Sequence, residues 1–437
     1  MREISSIISP FLIVIIFTVF SFSLELDIDA HAAEEFRHNV IGTIPVGDSP
    51  SRIAFNPING FVYVANSGSN SVTIIDPSTQ RVVEEVGVGN NPTGLAFRTY
   101  YDYLYVANPG SDTVSVIYTP TNRVVATIPV GNGPVNVLVT PIQPESRIFV
   151  ANFFGGTLSE IDPSTNTVKN TIPLQDCSQP IGLTFNSHDN YIYITCSGSN
   201  NVYVMDINGN RITAIDVGYY PLDITVNPFN GFVYVSNQGS HTVSVIDPSL
   251  NPVVDTINID SQTSASSSPL GITFNPTNRY LYVSNFGTAT VSVIDSAINE
   301  IVDTISVGSY PYGGAHNAKN GFIYVANSKS DSISIISIGH PNACLAYNIQ
   351  HWDNIRFMIT SSDLAERVKL PVNTELDIKI LNDPDKAEDL KHKVLEFFKV
   401  PNESKESIKI IELNYDTICA SLPILKQETE EEDEKIH

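Results

Sequence analysis

A segment of 16 residues recurs seven times in this chain of 437 residues, and no other feature restricts the possible folds as strongly. The first copy reads FVYVANSGSNSVTIID from Phe61, and all copies alternate β-branched or aromatic residues with small polar ones. This alternation is typical of β-strands. The asparagine of the first copy, Asn66, corresponds to Asn108, Asn152, Cys196, Asn237, Asn285 and Asn327 in the later copies. Consecutive copies are therefore 41 to 48 residues apart.

Each repeat divides into four predicted strands. The first strand follows a proline, which is Pro50, Pro92, Pro134, Pro180, Pro221, Pro269 or Pro311. The recurrent segment supplies the second and third strands, and an Asp-Pro or Asn turn leads to the fourth. Four antiparallel strands repeated every 40-odd residues are the unit of a β-propeller. The sequence thus predicts an all-β, seven-bladed propeller over residues 38–338. We expect the repeated asparagines to satisfy backbone groups of the turns that follow them, and the repeated tyrosines and phenylalanines to pack between blades.

The strand count also predicts how the ring closes. The seventh repeat ends near Ile338 without a fourth strand of its own. The missing strand precedes the first repeat, because HNVIGTIPVG from His38 matches RVVATIPVG from Arg123. We expect this N-terminal strand to complete the last blade, which removes an exposed sheet edge.

The tetrapeptides YVAN, YVSN and FVAN, with the turns and VSVID-like strands that follow them, resemble the YVTN β-propeller repeat. That family is best known from archaeal cell-surface and surface-layer proteins. The resemblance covers residues 38–338 and implies a propeller at the cell surface. The fourth repeat departs furthest from the family pattern, since it has ITCSG in place of VANSG.

The first 32 residues predict export. The stretch from Pro10 to Leu24 is uncharged and almost wholly apolar, and Ala30-His31-Ala32 suits signal peptidase. We therefore interpret residues 1–32 as a signal peptide and expect an extracellular or cell-surface protein. The alternative is an uncleaved anchor, which would be the protein's only contact with a membrane.

Four cysteines in an exported chain predict two disulfides, for which three pairings are possible. Cys177 and Cys196 lie in one repeat, with both positions on the same face of the propeller, whereas Cys344 and Cys419 bracket the C-terminal region. We favour the local pairs Cys177–Cys196 and Cys344–Cys419, and the alternative is that some of the four are free buried thiols.

The composition changes after Gly339, where lysine becomes frequent. Residues 341–425 predict a small α+β domain with strands at 355–360, 376–381 and 408–413 and an amphipathic helix at 385–400. Residues 426–437 form an acidic tail that we expect to be disordered.

A candidate binding site follows from the positions two residues after each first-strand proline. These positions should lie at the channel mouth, on the face that carries the loops from fourth to first strand and from second to third strand, here called the mouth face. They are Arg52, Gly94, Asn136, Gly182, Asp223, Gly271 and Gly313. We predict that Arg52, Asn136 and Asp223 project into space left by the glycines. Tyr220 and Tyr312, with Tyr219 and Tyr310, would line the rim. Alternatively these are variable strand residues, and Arg52 with Asp223 is a structural ion pair.

The sequence offers no motif for catalysis. H-E-x-x-H, nucleophile-elbow, phosphate-loop and dinucleotide patterns do not occur, so we predict no catalytic residue, metal or cofactor. A net charge of −23 without a basic patch disfavours nucleic acid. The prediction is a non-catalytic exported scaffold that binds a protein or cell-envelope component, with its oligomeric state open. The alternatives are a lactonase-like or dehydrogenase-associated enzyme with its site at the mouth, and a carrier or sensor of a small ligand or metal.

Overall fold

The structure, a computed structural model, describes residues 38–141, 146–249, 252–260 and 266–337, together with three short strands further along. The chain divides into two compact units, and residues 38–338 form one of them. Within the described residues, no helix is long and apolar enough to cross a membrane. The predicted signal peptide lies outside these residues.

Residues 38–337 form seven antiparallel sheets of four strands. Blade 1 consists of β2 (Pro50–Phe55), β3 (Val62–Asn66), β4 (Ser71–Asp76) and β5 (Arg81–Gly87). Blade 2 consists of β6 (Leu95–Arg98), β7 (Tyr103–Asn108), β8 (Thr113–Tyr118) and β9 (Arg123–Pro129), with a 3-10 turn at Thr99–Tyr101. Blade 3 consists of β10 (Pro134–Val139), β11 (Ile148–Asn152), β12 (Thr157–Asp162) and β13 (Thr167–Pro173).

The later blades repeat this order. Blade 4 consists of β14 (Pro180–Asn186), β15 (Tyr191–Cys196), β16 (Asn201–Asp206) and β17 (Arg211–Asp216). Blade 5 consists of β18 (Pro221–Val226), β19 (Val233–Asn237), β20 (Thr242–Ile246) and β21 (Val253–Asn258). Blade 6 consists of β22 (Pro269–Asn275), β23 (Tyr280–Asn285), β24 (Thr290–Asp295) and β25 (Glu300–Ser306). Blade 7 consists of β26 (Pro311–His316), β27 (Ile323–Asn327), β28 (Ser332–Ser337) and β1 (Asn39–Pro45).

Blade 7 confirms the predicted ring closure. β1 pairs antiparallel with β28, from Asn39 opposite Ser337 to Pro45 opposite Ser332. The side chain of Ile44 is buried in a cluster that joins blades 7 and 1. The N-terminal strand therefore contributes both ladder hydrogen bonds and apolar packing to the last blade.

The core lies between neighbouring blades, because each sheet packs its two faces on the sheets beside it. Apolar side chains of adjacent blades form these interfaces, as between blades 1 and 2 around Tyr63 and Leu104. One aromatic residue per blade is almost completely buried at the same strand position: Tyr63, Tyr105, Phe149, Tyr193, Tyr234, Tyr282 and Tyr324. The predicted packing role of the repeated aromatics agrees with this placement.

Beyond the propeller, three short strands are described: β29 (Arg356–Ile359), β30 (Glu375–Asp377) and β31 (Ile408–Ile410). They form a small antiparallel sheet with β29 in the centre. Each strand overlaps a segment that the sequence predicts as a strand. The predicted helix, the acidic tail, Cys344 and Cys419 lie outside the described residues.

Candidate functional site

The mouth face is the end of the ring at which every first strand begins. Pro50 lies opposite Asn66, so the start of the first strand and the end of the second strand share this face. The equivalent pairs in blades 4 and 5 are Pro180 with Cys196 and Pro221 with Asn237. The first strands of neighbouring blades lie against each other around the centre. Residues just inside each proline therefore surround the mouth.

An ion pair spans the mouth. Arg52 Nη1 of blade 1 lies 2.9 Å from Asp223 Oδ1 of blade 5, and the two side chains are 18% and 11% exposed. Asp223 Oδ2 accepts a hydrogen bond from the backbone N–H of Ile272, 3.1 Å away in blade 6. Burial lowers the pKa of Arg52, but the charges of Asp223 and Tyr312 and the hydrogen bond that Arg52 donates to Asp223 outweigh this effect, so the pKa is raised. Arg52 is therefore permanently charged, and both Asp223 oxygens are engaged.

The other predicted mouth residues are placed differently. Tyr312 is half-buried on the first strand of blade 7, near enough to influence Arg52 electrostatically. Asn136 is buried in blade 3, where its Oδ1 accepts a hydrogen bond from the N–H of Val137. The structure thus brings Arg52, Asp223 and Tyr312 together, whereas the Asn136 carboxamide is used by its own strand.

The glycines at these positions do not leave open space, contrary to our expectation. A Cβ on Gly94 would lie 2.5 Å from the Asn136 Cα, and one on Gly182 would lie 2.7 Å from the Leu222 carbonyl oxygen. A Cβ on Gly313 would lie 3.1 Å from the Arg52 Cα. Glycine is required here because the first strand of the next blade approaches closely. The space at these positions is filled by protein.

The repeated asparagine has a structural role, although not the one we predicted. It does not satisfy backbone groups of the turn. In six blades its Nδ2 donates to two hydroxyls on the third strand, five and seven residues later, as Asn66 does to Ser71 and Thr73 at 3.1 and 2.7 Å. The same pair of bonds recurs at Asn108, Asn152, Asn237, Asn285 and Asn327. We call this arrangement the asparagine clamp.

Blade 4 replaces the clamp by a disulfide. Cys196 occupies the asparagine position, and its Sγ is bonded to Cys177 in the loop that leads into the blade. This confirms one of the two predicted disulfides. Both cysteines are buried. A buried disulfide is typical of proteins that fold in an oxidising compartment.

Two tyrosines of the rim adopt an unfavourable backbone conformation. The residue before each first-strand proline has a positive φ: Ser49, Asn91, Gly133, Gln179, Tyr220, Ser268 and Tyr310. Bulky side chains are uncommon in this left-handed region, which costs roughly 1–2 kcal/mol for residues other than glycine. Tyr220, at φ 51°, nevertheless remains exposed, as does its neighbour Tyr219.

Sequence reasoning missed further aromatic residues on the mouth face. Phe154 is exposed in the loop between the second and third strands of blade 3, and its ring contacts Phe153 edge-to-face. Phe286 of blade 6 stacks on Tyr310, with ring centroids 4.4 Å apart. The sequence does mark these residues, because FFGG in blade 3 and FGTA in blade 6 carry phenylalanine in a loop that has no aromatic residue in the other repeats.

A serine, a histidine and an aspartate meet in the loops of blades 5 and 6. Ser266 Oγ lies 3.1 Å from His241 Nε2, and Asp260 Oδ2 lies 4.0 Å from His241 Nδ1. However, the Ser268 N–H donates to Nδ1 at 3.2 Å, which leaves the ring proton on Nε2. A protonated Nε2 cannot accept the proton of Ser266, so this is not an activated nucleophile.

His241 has a structural explanation instead. In four other blades, a side chain at the same loop position accepts a hydrogen bond from the N–H of the residue with positive φ that follows. These acceptors are Asn70, Asp112, Asn200 and Asp331. His241 serves Ser268 in the same way. Among the described residues, no group of three His, Cys, Asp or Glu side chains is placed to hold a metal ion.

Comparisons with known proteins identify the fold. The family model "Lactonase, 7-bladed beta-propeller" matches residues 145–351. The search of curated proteins gave no match. Among solved structures, hydrazine synthase of Kuenenia stuttgartiensis is similar at 20% identity and TM-score 0.60, over 66% of this chain and 95% of that one.

Two further solved structures resemble the chain over 69% of its length and 99% of theirs. They are virginiamycin B lyase from Staphylococcus aureus, at 15% identity and TM-score 0.58, and the β-propeller domain of Myceliophteria thermophila Cps50 (Swd1), at 13% and 0.60. At such identities the likeness concerns the fold alone, and these proteins differ in function. Together with the seven blades described above, the comparisons show that the chain is a seven-bladed β-propeller repeat protein.

Proposed function

We propose that this protein is an exported, non-catalytic propeller that binds a protein or cell-envelope component through its mouth face. The observation that carries the proposal is the pair of exposed tyrosines, Tyr220 and Tyr310, held in left-handed backbone. Backbone strain of this kind is typical of functional surfaces, and Tyr220 remains 57% exposed in spite of it. Ser, Asn, Gln or Gly at the same position in other blades supports the turn without an aromatic side chain.

The mouth itself supports binding rather than catalysis. Arg52 and Asp223 are paired with each other, and both oxygens of Asp223 accept hydrogen bonds. A general base needs a free lone pair directed at a substrate proton. The pair therefore stabilises the ring across the mouth, and the loops around it are left to recognise a partner.

Co-sedimentation with cell envelopes tests this proposal. We expect the purified protein to sediment with envelopes of the cells that produce it, and a Tyr219→Ser/Tyr220→Gly variant to remain in the supernatant. Tyr100→Ser is the matched control, because Tyr100 is an exposed tyrosine in the turn Thr99–Tyr101, at the other end of its blade. Wild-type protein that stays in the supernatant contradicts the proposal.

A second candidate is a lactone hydrolase, which the family match over residues 145–351 favours. In that case Arg52 would polarise the lactone carbonyl and Asp223 would orient the attacking water. Hydrolysis of a panel of lactones by the wild type, lost in both Arg52→Ala and Asp223→Asn, would establish this function. Absence of hydrolysis by the wild type across the panel excludes lactone hydrolysis as the function.

A further inference from the structure

The charges of the mouth face are strongly unbalanced. Its loops carry five aspartates and one lysine: Asp48, Asp112, Asp176, Asp260, Asp331 and Lys329. Among the described residues, the loops at the opposite end of the blades carry equal numbers of acidic and basic residues: Asp102, Asp189 and Asp247 against Arg147, Arg279 and Lys319. The mouth face is therefore the end of the ring that attracts cations.

Some exposed aromatic rings of the propeller are covered by cations of the chain itself. The guanidinium carbon of Arg98 lies 3.7 Å from the ring centroid of Tyr101, and that of Arg279 lies 4.7 Å from Phe229. On the mouth face, Lys329 Nζ lies 4.8 Å from the ring of Tyr310. A cation over the face of an aromatic ring is stabilising because of the ring's quadrupole.

Among the described residues, Tyr219 and Tyr220 lack such a cation, as do the exposed rings of Phe154 on the mouth face and Tyr100 at the opposite end of blade 2. The side chains of Tyr219 and Tyr220 are 65% and 57% exposed. The loop is nevertheless fixed: the Tyr219 N–H donates to Ser240 Oγ at 2.8 Å and the Tyr220 N–H donates to Asn200 Oδ1 at 3.0 Å. Tyr220 also packs on Gly239, where an added Cβ would lie 2.8 Å from its ring.

Because these two exposed rings stand together without a cation on the acidic mouth face, we infer that Tyr219 and Tyr220 bind lysine or arginine side chains of a basic polypeptide segment, which that face attracts. The inference rests on the proposed binding function and names the chemistry of the partner. Both tyrosines are presented by one loop whose backbone is already ordered, so little conformational freedom is lost on binding. Because the attraction is partly electrostatic, the affinity falls as the salt concentration rises.

The test measures the affinity of a labelled peptide of ten lysines, with ten-residue glutamate and Gly-Ser peptides as controls, at physiological salt. We expect the purified protein to bind the lysine peptide alone. Tyr219→Ser/Tyr220→Gly should weaken that binding about tenfold, since two cation–π contacts of about 0.7 kcal/mol each are lost. Tyr100→Ser should change it less than about twofold. All three proteins carry the same charge, so diffuse attraction cancels in the comparison.

The stability of the double variant excludes unfolding as the cause. Glycine adopts positive φ without strain, and Gly133 holds the same position in blade 3. The variant should therefore unfold at the same or a higher temperature than the wild type. Equal affinity of the lysine peptide for the wild type and the double variant would overturn the inference.

The envelope sedimentation assay separates this inference from the proposed function. If envelopes retain the wild type but not the double variant, and excess lysine peptide does not compete, the mouth face binds a partner of other chemistry and only the basic segment is refuted. Competition by neutral cell-wall polysaccharide would identify that partner as a glycan. If neither envelopes nor the lysine peptide bind, both proposals fail.

Discussion

The fourth blade differs from the other six in how its second strand is held at the mouth face. Six blades use an asparagine that donates to two hydroxyls, whereas blade 4 uses the Cys177–Cys196 disulfide. In most of the six, a glycine in the preceding loop faces the asparagine: a Cβ on Gly47 would lie 2.6 Å from Asn66 Nδ2. Cys177 is 19 residues before Cys196, as Gly47 is before Asn66. Blade 4 therefore has cysteine at both positions of the glycine–asparagine contact.

The seventh blade is the opposite extreme. Its fourth strand comes from the other end of the propeller sequence, and within the described residues only hydrogen bonds and packing hold that strand in place. A covalent bond restricts the unfolded chain, while a non-covalent closure depends wholly on the folded state. The four predictions that follow test how differently the two kinds of restraint respond to mutation and pH.

The largest effect should come from the closing strand. Ile44 is 4% exposed between blades 7 and 1, whereas Ile41 of the same strand is 38% exposed. Ile44→Asp buries a charge without a partner and should lower the free energy of unfolding by about 4 kcal/mol or more. Ile41→Asp, the matched control, should change it by less than about 0.5 kcal/mol. Urea denaturation measures both values. Equal effects would show that β1 does not seal the ring.

Removal of the disulfide should have the next largest effect. Cys177→Gly/Cys196→Asn restores the residues of the other blades but not the hydroxyls, since Asn201 and Tyr203 occupy those positions. For a loop of 19 residues we expect a loss of about 3 kcal/mol. Substitution is preferable to a reducing agent, which would also act on the predicted Cys344–Cys419 disulfide. A loss below about 1 kcal/mol would mean that the disulfide adds little to the fold.

A single asparagine clamp should contribute less. Asn237→Ala leaves the buried hydroxyl of Ser244 without this donor and should lower the free energy of unfolding by about 1–2 kcal/mol. Asn170→Ala, at an exposed position of β13, should have almost no effect. Urea denaturation again provides the measurement. If Asn237→Ala proves as neutral as Asn170→Ala, the clamp contributes nothing measurable to the free energy of unfolding, and blade 4 loses no stability by lacking it.

Much of the blade structure could be predicted from the sequence, because the strand and turn patterns are repeated in every blade. Strand alternation and turn residues agree in seven copies, so an ambiguous segment in one blade is resolved by the others. The clamp was also visible, since hydroxyls stand five and seven residues after each repeated asparagine and are absent after Cys196. We instead assigned the asparagine to the local turn, as is usual for this residue.

The mouth was harder to predict because it depends on the geometry of the whole ring. Arg52 and Asp223 are 171 residues apart and belong to blades that are not neighbours. Their positions after the first-strand prolines identified both as candidate mouth residues. Which side chains contact each other there depends on strand register and on the irregular pairing near each proline. The first strands of neighbouring blades also lie against Gly94 and Gly182, so glycine, which we interpreted as open space, marks close contact instead.

The smallest effect should be a pH dependence of ring closure. Burial lowers the pKa of His38, although the hydrogen bond and charge of Asp303 partly oppose this. His38 Nδ1 lies 3.0 Å from Asp303 Oδ2, and its ring packs against Tyr280 and Tyr282. Among the described residues, no group accepts a hydrogen bond from the buried Nε2, so protonation there is unfavourable.

A lowered pKa means that the unfolded chain binds this proton at a higher pH than the folded chain does. The contribution of His38 is therefore complete above the unfolded pKa of about 6.5 and declines as the pH falls below it. The wild type should lose more stability than His38→Gln between pH 7.5 and 5.5, as measured by urea midpoints.

His316, whose pKa is also lowered by burial, lies on the first strand of blade 7 and away from the closing strand. We expect both His38→Gln and His316→Gln to reduce the acid sensitivity, but only His38→Gln to do so by acting at the closure. Hydrogen exchange of the β1 amides, expressed as protection relative to the intrinsic exchange rate at each pH, distinguishes the two, because acid should lower this protection in His316→Gln and not in His38→Gln. Unchanged protection of the β1 amides in the wild type across this pH range would show that the closure is as insensitive to acid as the disulfide of blade 4.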